Sequence, residues 1–210
     1  MNIIFVTGIG TGIGKTVISA ILTEALDADY WKPIQAGFDE GTDTEWVSDH
    51  ITNGATRVHK EVYKLKLPAS PHIAAREEGL TISLQKICDS VPKNTRNLIV
   101  EGAGGLMVPL NDNEFVADLI KALDAKVILI SRNYLGSINH SLLTANIAKY
   151  KKLNVKGWIF NDQYLDYESE ISRWSGMDHL GSIPFTENAD RDFVAHHAQY
   201  LRKKLGTILW

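Results

Sequence analysis

The chain is nearly without cysteine: Cys88 is the only one in 210 residues. No intrachain disulfide can form, and no cysteine cage for zinc, which points to a reducing compartment. Positive charge is not in excess either. Lys and Arg number 22 against 25 Asp and Glu, for a net charge of −3. That balance leaves no electrostatic footprint for nucleic acid or an anionic membrane surface, so neither partner is expected. No apolar run is long enough to span a bilayer. Met1 leads directly into a strand-like run, so no signal or transit segment is expected. Repeats, low-complexity tracts and linkers are not evident. A soluble cytoplasmic protein is the expectation. The hydrophobic content of 44% and charged content of 22% are ordinary for a globular chain. The length suits one α/β domain over residues 1–210.

What the chain does have is glycine in one place. Gly8-Ile-Gly-Thr-Gly-Ile-Gly14-Lys15-Thr16 fits the phosphate-loop pattern G-x-x-x-x-G-K-S/T. Glycines let the backbone curl so that several N–H groups point at one anion. The following helix start adds partial positive charge there. Lys15 can then reach the outer phosphates, and the Thr16 hydroxyl can ligate magnesium. The context is right: residues 2–7 read as a buried strand and residues 16–26 as a helix. The dinucleotide fingerprint G-x-G-x-x-G fails in both registers, because Ile13 or Lys15 falls where the third glycine belongs.

Beyond this loop, strand-like and helix-like segments alternate, which predicts a doubly wound, mostly parallel sheet flanked by helices. Strands are predicted over residues 30–34, 97–101, 126–131, 155–160 and 180–184. Residues 62–67 are ambiguous between strand and loop. Helices are predicted over residues 44–52, 72–78, 83–91, 115–123, 137–152, 167–174 and 190–205. Polar and glycine clusters fall at strand carboxyl ends, where open α/β sheets bind ligands. They are residues 8–16, 35–43, 101–105, 134–140 and 161–162, with the segment after Pro184, and they are expected to form one composite site.

Individual residues carry two readings each. Glu101 ends an apolar strand before Gly-Ala-Gly-Gly; it is either a magnesium ligand or an ordinary strand-end acid. Lys32 is either an edge-strand lysine facing solvent or a second cation facing the phosphates. Asp43 is a loop acid that becomes a metal candidate only beside Thr16 and Glu101. His72 reads as a helix-start histidine packing on the surface, and His140, with Asn139 at a helix start, as an anion-binding or interface residue. His196 and His197, adjacent on a helix, face different ways and suit no metal. Trp31, Trp46, Trp158, Trp174 and Trp210 are scattered and read as packing residues.

Together these stretches resemble the dethiobiotin synthetase family. The matching segments, in order, are the phosphate loop, Tyr30-Trp-Lys32-Pro-Ile-Gln-Ala-Gly37, Ser70-Pro71-His72, Val100-Glu101-Gly-Ala-Gly-Gly105, Leu135-Gly136-Ser-Ile138-Asn139-His140, Gly157-Trp158-x-x-Asn161-Asp162 and Gly181-x-Ile-Pro184. The resemblance implies a P-loop NTPase-type fold acting as a homodimer on 7,8-diaminononanoate, CO2, ATP and Mg²⁺, in biotin synthesis. It makes Lys32 and Lys15 catalytic, and Thr16, Asp43 and Glu101 the metal ligands, with Asp49 as the fallback for Asp43. It assigns ATP to Gly12, Ile13, Gly14, Lys15, Thr16, Val17, Asp43 and Glu101, with Gly102, Ala103 and Gly104 nearby. Asn161 and Asp162 would read the adenine, and Pro184, Phe185 and Thr186 would close over it. Substrate contacts fall to Thr11, Ala36 and Ser70. Gly136, Ser137, Ile138 and Asn139 would hold its carboxylate, across the dimer interface.

This sequence departs from the family at two points. Ala36 stands where the family often has Ser or Thr, and Gly12 where its loop often carries an acid. The competing readings are another ATP-dependent amidoligase or small-molecule kinase, and a nucleotide switch or partitioning ATPase. The second class is disfavoured. Asn161 opens no Asn-Lys-x-Asp, and Ile9-Gly10 stand where partitioning ATPases carry a signature lysine.

Overall fold

The computed structural model describes residues 2–93, 96–162 and 164–205. In chain order the elements are β1 (Ile3–Gly8), α1 (Lys15–Ala25), β2 (Asp29–Trp31), β3 (Ile34–Ala36), α2 (Asp43–His50), α3 (Gly54–Arg57), β4 (Val58–His59), β5 (Tyr63–Leu65), α4 (Pro71–Glu77) and α5 (Leu84–Asp89). Then come β6 (Leu98–Glu101), α6 (Val116–Ala122), β7 (Lys126–Arg132), α7 (Ser137–Tyr150), β8 (Asn154–Asn161), α8 (Glu168–Ser175), β9 (His179–Ile183) and α9 (Arg191–Leu205). A seven-stranded sheet runs β4-β2-β6-β1-β7-β8-β9, every pair parallel. The strand order reverses beside β1, the place where such sheets bind ligands.

The core lies on both faces of this sheet. Phe5, Leu98, Val100, Val127, Leu129 and Phe160 point to one face. Ile4, Val6, Ile99, Ile128, Ile130 and Ile159 point to the other. Alternate side chains of one strand leave on opposite sides. Because helices cover both, the central strands read as unbroken apolar runs. Trp31 and Trp158 are buried, whereas Trp174 is half-exposed; Trp210 lies outside the described residues. The C-terminal end of α1 is closed by arginine. The buried Arg57 donates to the carbonyls of Thr23, Ala28 and Thr52 and pairs with Glu24, and Arg202 donates to those of Glu24 and Ala25. Cations there satisfy orphan carbonyls and complement the helix dipole.

One predicted strand is in fact two. Residues 30–34 break at Lys32-Pro33: β2 ends at Trp31, and β3 leaves the main sheet to pair with β5. Proline has no N–H to continue the ladder. Its carbonyl instead accepts from the Val62 and Tyr63 amides at 2.9 and 3.0 Å. The ambiguous segment 62–67 therefore contains a strand. A second difference is Asp43, which is not in a loop. It is the first residue of α2, capped by a reciprocal Thr42–Glu45 box. The short β4 and α3 carried too few residues for a periodic signal.

Candidate active site

The site is built at the carboxyl ends of β1, β2, β3 and β6. Gly8 closes β1 where no side chain fits: a Cβ would lie 2.0 Å from the Ile130 carbonyl oxygen. Gly14, at φ +86°, turns the loop into α1, a left-handed conformation that favours glycine. Lys15 folds back over the loop and donates to the Gly10 carbonyl at 2.6 Å. Burial depresses its ammonium to about 8; the Lys32 charge adds to that, and Glu101 and Asp43 oppose it.

Lys32 does not face solvent; it is 6% exposed and its ammonium donates to Asp43 Oδ2 and, at 2.8 Å, to Glu101 Oε1. Burial alone would lower its pKa, but the two carboxylates outweigh that and raise it. Asp43 is likewise held below the usual carboxylate range, because the Lys32 charge and the Lys32 and Thr16 hydrogen bonds overcome its burial. The Thr16 hydroxyl lies 2.9 Å from Asp43 Oδ1 and 3.0 Å from Glu101 Oε1. The condition set for Asp43 is thus met. Asp49 sits elsewhere on α2, its carbonyl accepting from Arg191.

A cavity of about 590 Å³ opens over these groups. Thr11, Gly12, Gly14, Lys15, Thr16, Val17, Lys32, Asp43, Glu101, Ala103 and Gly104 line it. Gln35, Ala36, Pro68, Ala69, Ser70, Pro71 and Val108 complete its lining. A second cavity, of about 160 Å³, shares Gly12, Gly14 and Val17 and adds Arg132, Asn161, Pro184, Phe185 and Thr186. The phosphate loop therefore lies between a charged chamber and a smaller one at the ends of β7, β8 and β9. Asn161 Nδ2 donates to the Ile13 carbonyl at 2.9 Å, and Asp162 accepts from Arg132 at 3.0 Å. Gly102 packs against β1, where an added Cβ would lie 2.7 Å from the Phe5 ring.

The segment 136–139 does not join this group within its own chain. Gly136, Ser137, Ile138 and Asn139 line neither cavity. The buried Ser137 hydroxyl is within 2.8 Å of the Tyr167 hydroxyl and accepts from the Tyr134 amide. The neighbouring Leu135 is 86% exposed.

Three participants escaped the sequence reading. Tyr30, fully buried, donates its hydroxyl to Glu101 Oε2 at 2.8 Å. Burial, with the Glu101 charge, holds that phenol well above its usual pKa, so it stays a donor. Gln35 links Asp43 to the turn at Gly37: its side-chain oxygen accepts from the Asp43 amide at 3.4 Å and its nitrogen donates to the Gly37 carbonyl at 2.8 Å. Arg132 places its guanidinium 5.8 Å from the Phe185 ring in the smaller cavity. A tyrosine two residues before a candidate lysine was the available signal for Tyr30, but only the β2–β6 pairing gives it meaning.

A phosphate loop at the reversal point of a parallel sheet, with a buried lysine and two carboxylates facing it, defines a P-loop nucleotide-binding protein. Solved structures share the fold. A ParA family ATPase from Chlorobium tepidum aligns at TM-score 0.56 and 15% identity, covering 99% of this chain and 94% of that one. The septum site-determining protein MinD from Pyrococcus horikoshii, complexed with Mg-ADP, aligns at TM-score 0.57 and 14% identity over 100% and 98%. At such identities the likeness speaks for the fold alone. An AAA-domain family model matches residues 2–192. The ATP-dependent dethiobiotin synthetase of Cytophaga hutchinsonii is 53% identical over 92% of this chain and 94% of its own length. That of Christiangramia forsetii is 44% identical over 97% and 98%. The chain belongs to the ATP-dependent dethiobiotin synthetase family.

Proposed function

We propose that this protein is an ATP-dependent cyclo-ligase that closes the ureido ring of dethiobiotin from 7,8-diaminononanoate and CO2, in biotin biosynthesis. The observation that carries this reading is the meeting of Lys15, Lys32, Thr16, Asp43 and Glu101 in one cavity of about 590 Å³. In this reading one substrate amine adds to CO2, losing a proton, and becomes a carbamate. A carbamate oxygen attacks the γ-phosphorus, ADP departs, and a carbamic–phosphoric anhydride remains. The second amine attacks the anhydride carbonyl, loses its proton and expels phosphate as the five-membered ring closes.

Carbamate and triphosphate are both anionic and repel. Lys15 and Lys32 offset that repulsion where charge develops, and both are assigned to catalysis. Phosphoryl transfer needs chiefly positioning and electrostatics, which suits a site without a poised histidine base. Ala36, Pro68, Ala69, Pro71 and Val108 offer an apolar wall suited to the substrate's alkyl chain. Thr11 and Ser70 are assigned to its polar end near the reacting amines.

Thr16, Asp43 and Glu101 supply only oxygen donors, which fit a hard cation such as Mg²⁺. Bound there, it would neutralise charge on the β- and γ-phosphate oxygens. ATP is assigned to the loop residues 12–17 and to Gly102, Ala103 and Gly104, its base to the smaller cavity with Asn161, Asp162 and residues 184–186. Gly136, Ser137, Ile138 and Asn139 lie apart from the cavity of their own chain. We therefore assign them to the carboxylate of substrate bound in a second protomer, which makes a homodimer the working unit. Nothing in the reading calls for nucleic acid or membrane, and among the described residues no helix is long and apolar enough to cross one. The lone Cys88 suits the cytoplasm.

Purified protein given ATP, Mg²⁺, bicarbonate and 7,8-diaminononanoate should yield the cyclic urea by mass, with stoichiometric phosphate. ATP turnover without that product would reject the reading in favour of another ligase or kinase. Phosphate release indifferent to the diamine would point to a switch.

A further inference from the structure

The oxygens assigned to the metal already hold a cation. Tyr30 holds Glu101 Oε2, so the acid presents one oxygen, Oε1, to the site. That oxygen accepts from Lys32 and lies 3.0 Å from the Thr16 hydroxyl. Asp43 pairs with the same ammonium through Oδ2, and its Oδ1 is the second acceptor within reach of the one Thr16 proton. Among the described residues, no three His, Cys, Asp or Glu side chains gather to cage an ion. With Asp43 and Glu101 ionised and Lys15 and Lys32 protonated, the four charges cancel. A bare divalent ion would bring two uncompensated charges to a buried place, against an ammonium on the same carboxylate oxygen. An ion carried by a triphosphate brings its own negative charge, and the phosphates give Lys32 another partner.

We propose that Lys32 is the resident cation of the metal site: it excludes free divalent metal and yields to metal that arrives bound to a nucleotide. The proposal rests on Thr16, Asp43 and Glu101 being the metal's oxygens. Metal and nucleotide then bind as one substrate, and the displaced ammonium is delivered toward the phosphates where it acts.

The test is Mn²⁺ binding to nucleotide-free protein, followed by electron paramagnetic resonance of the free ion. Wild type and Lys32→Arg should leave Mn²⁺ free into the millimolar range. Lys32→Met should bind one Mn²⁺ at least tenfold more tightly, and the gain should vanish in Lys32→Met combined with Glu101→Gln. Lys32→Gln, which keeps a donor but no charge, must show the same gain; it carries the test should the Met variant not fold. Wild-type binding as tight as that of the Met and Gln variants overturns the proposal. A companion titration with Mn²⁺ and ATP separates this failure from that of the ligand assignment. If Glu101→Gln leaves Mn²⁺–ATP binding unchanged, the oxygens themselves are wrongly assigned. If it weakens that complex while the Lys32 variants gain nothing without nucleotide, only the role given to Lys32 falls.

Discussion

Replacing Tyr30 with Phe removes a single hydroxyl from the centre of the site. The ring stays apolar and fills the same space, so little packing is lost. What is lost is the hydrogen bond of 2.8 Å to Glu101 Oε2, made by a donor that is fully buried to a carboxylate that is 1% exposed. Water cannot replace that donor without opening the core. A hydrogen bond to a charged group contributes about 1.5–3 kcal/mol. For a chain of this size each kcal/mol shifts the melting temperature by roughly 2–4 °C, so the variant should melt roughly 3–12 °C lower. Glu101 would also be free to turn Oε2 toward Thr16 and Lys32, so the magnesium needed for half-maximal turnover should rise. Urea unfolding followed by tryptophan fluorescence reads the first effect, with an unchanged m-value. Tyr150→Phe is the control, since Tyr150 is 81% exposed and its loss should fall within about 0.5 kcal/mol. Tyr30→Phe as stable as that control would refute the assignment of the hydrogen bond, and the one-oxygen presentation of Glu101 with it.

Lys32→Ala should lower turnover roughly a hundredfold or more while nucleotide still binds; near-native turnover would take Lys32 out of the mechanism. Gly14→Ala places a Cβ 2.1 Å from Asn161 Nδ2 at a backbone φ of +86°. Such strain costs about 1–3 kcal/mol, so a fluorescent nucleotide should bind roughly 5- to 150-fold more weakly, and unchanged affinity would mean the loop relaxes freely. Lys15, lowered to about 8, loses its charge above that pH in the free protein, whereas bound phosphate favours the charged form. Nucleotide affinity should therefore fall above pH 8 by up to about tenfold per unit, with net proton uptake in calorimetry across buffers; no uptake at pH 9 would contradict it. The same group makes the nucleotide-free protein more stable as pH rises from 8 toward its unfolded value, because the unfolded chain then holds the extra proton. Arg57→Met strips donors from the buried carbonyls at the end of α1 and takes the cation from Glu24, which keeps the Thr52 amide; a loss of about 3–5 kcal/mol should appear in urea unfolding, with nucleotide affinity intact.

The phosphate loop was legible because its chemistry is local. Strand, glycines, lysine and hydroxyl are consecutive, and each residue type has a reason that needs no distant neighbour. The apolar runs over β1, β6, β7 and β8 were legible for a related reason, since strands covered on both faces must be apolar throughout. The family resemblance drew on the same kind of signal, short segments in a set order. Lys32 shows where such reading stops. Its neighbours in the chain, Trp31 and Pro33, left it equally an edge residue or a site residue. The choice was made by β2 lying beside β6, with Trp31 in register with Val100, which sets Lys32 next to Glu101. Tyr30 finds Glu101 across the same seam, 71 positions away. Asp43 needed the Thr42 cap to start α2 and the break at Pro33 to send β3 out of the sheet. Strand order, and with it the partner of each buried charge, depends on which faces cover one another when the whole core closes. A linear pattern of apolar and polar residues reports that a strand is buried, not which strand lies beside it.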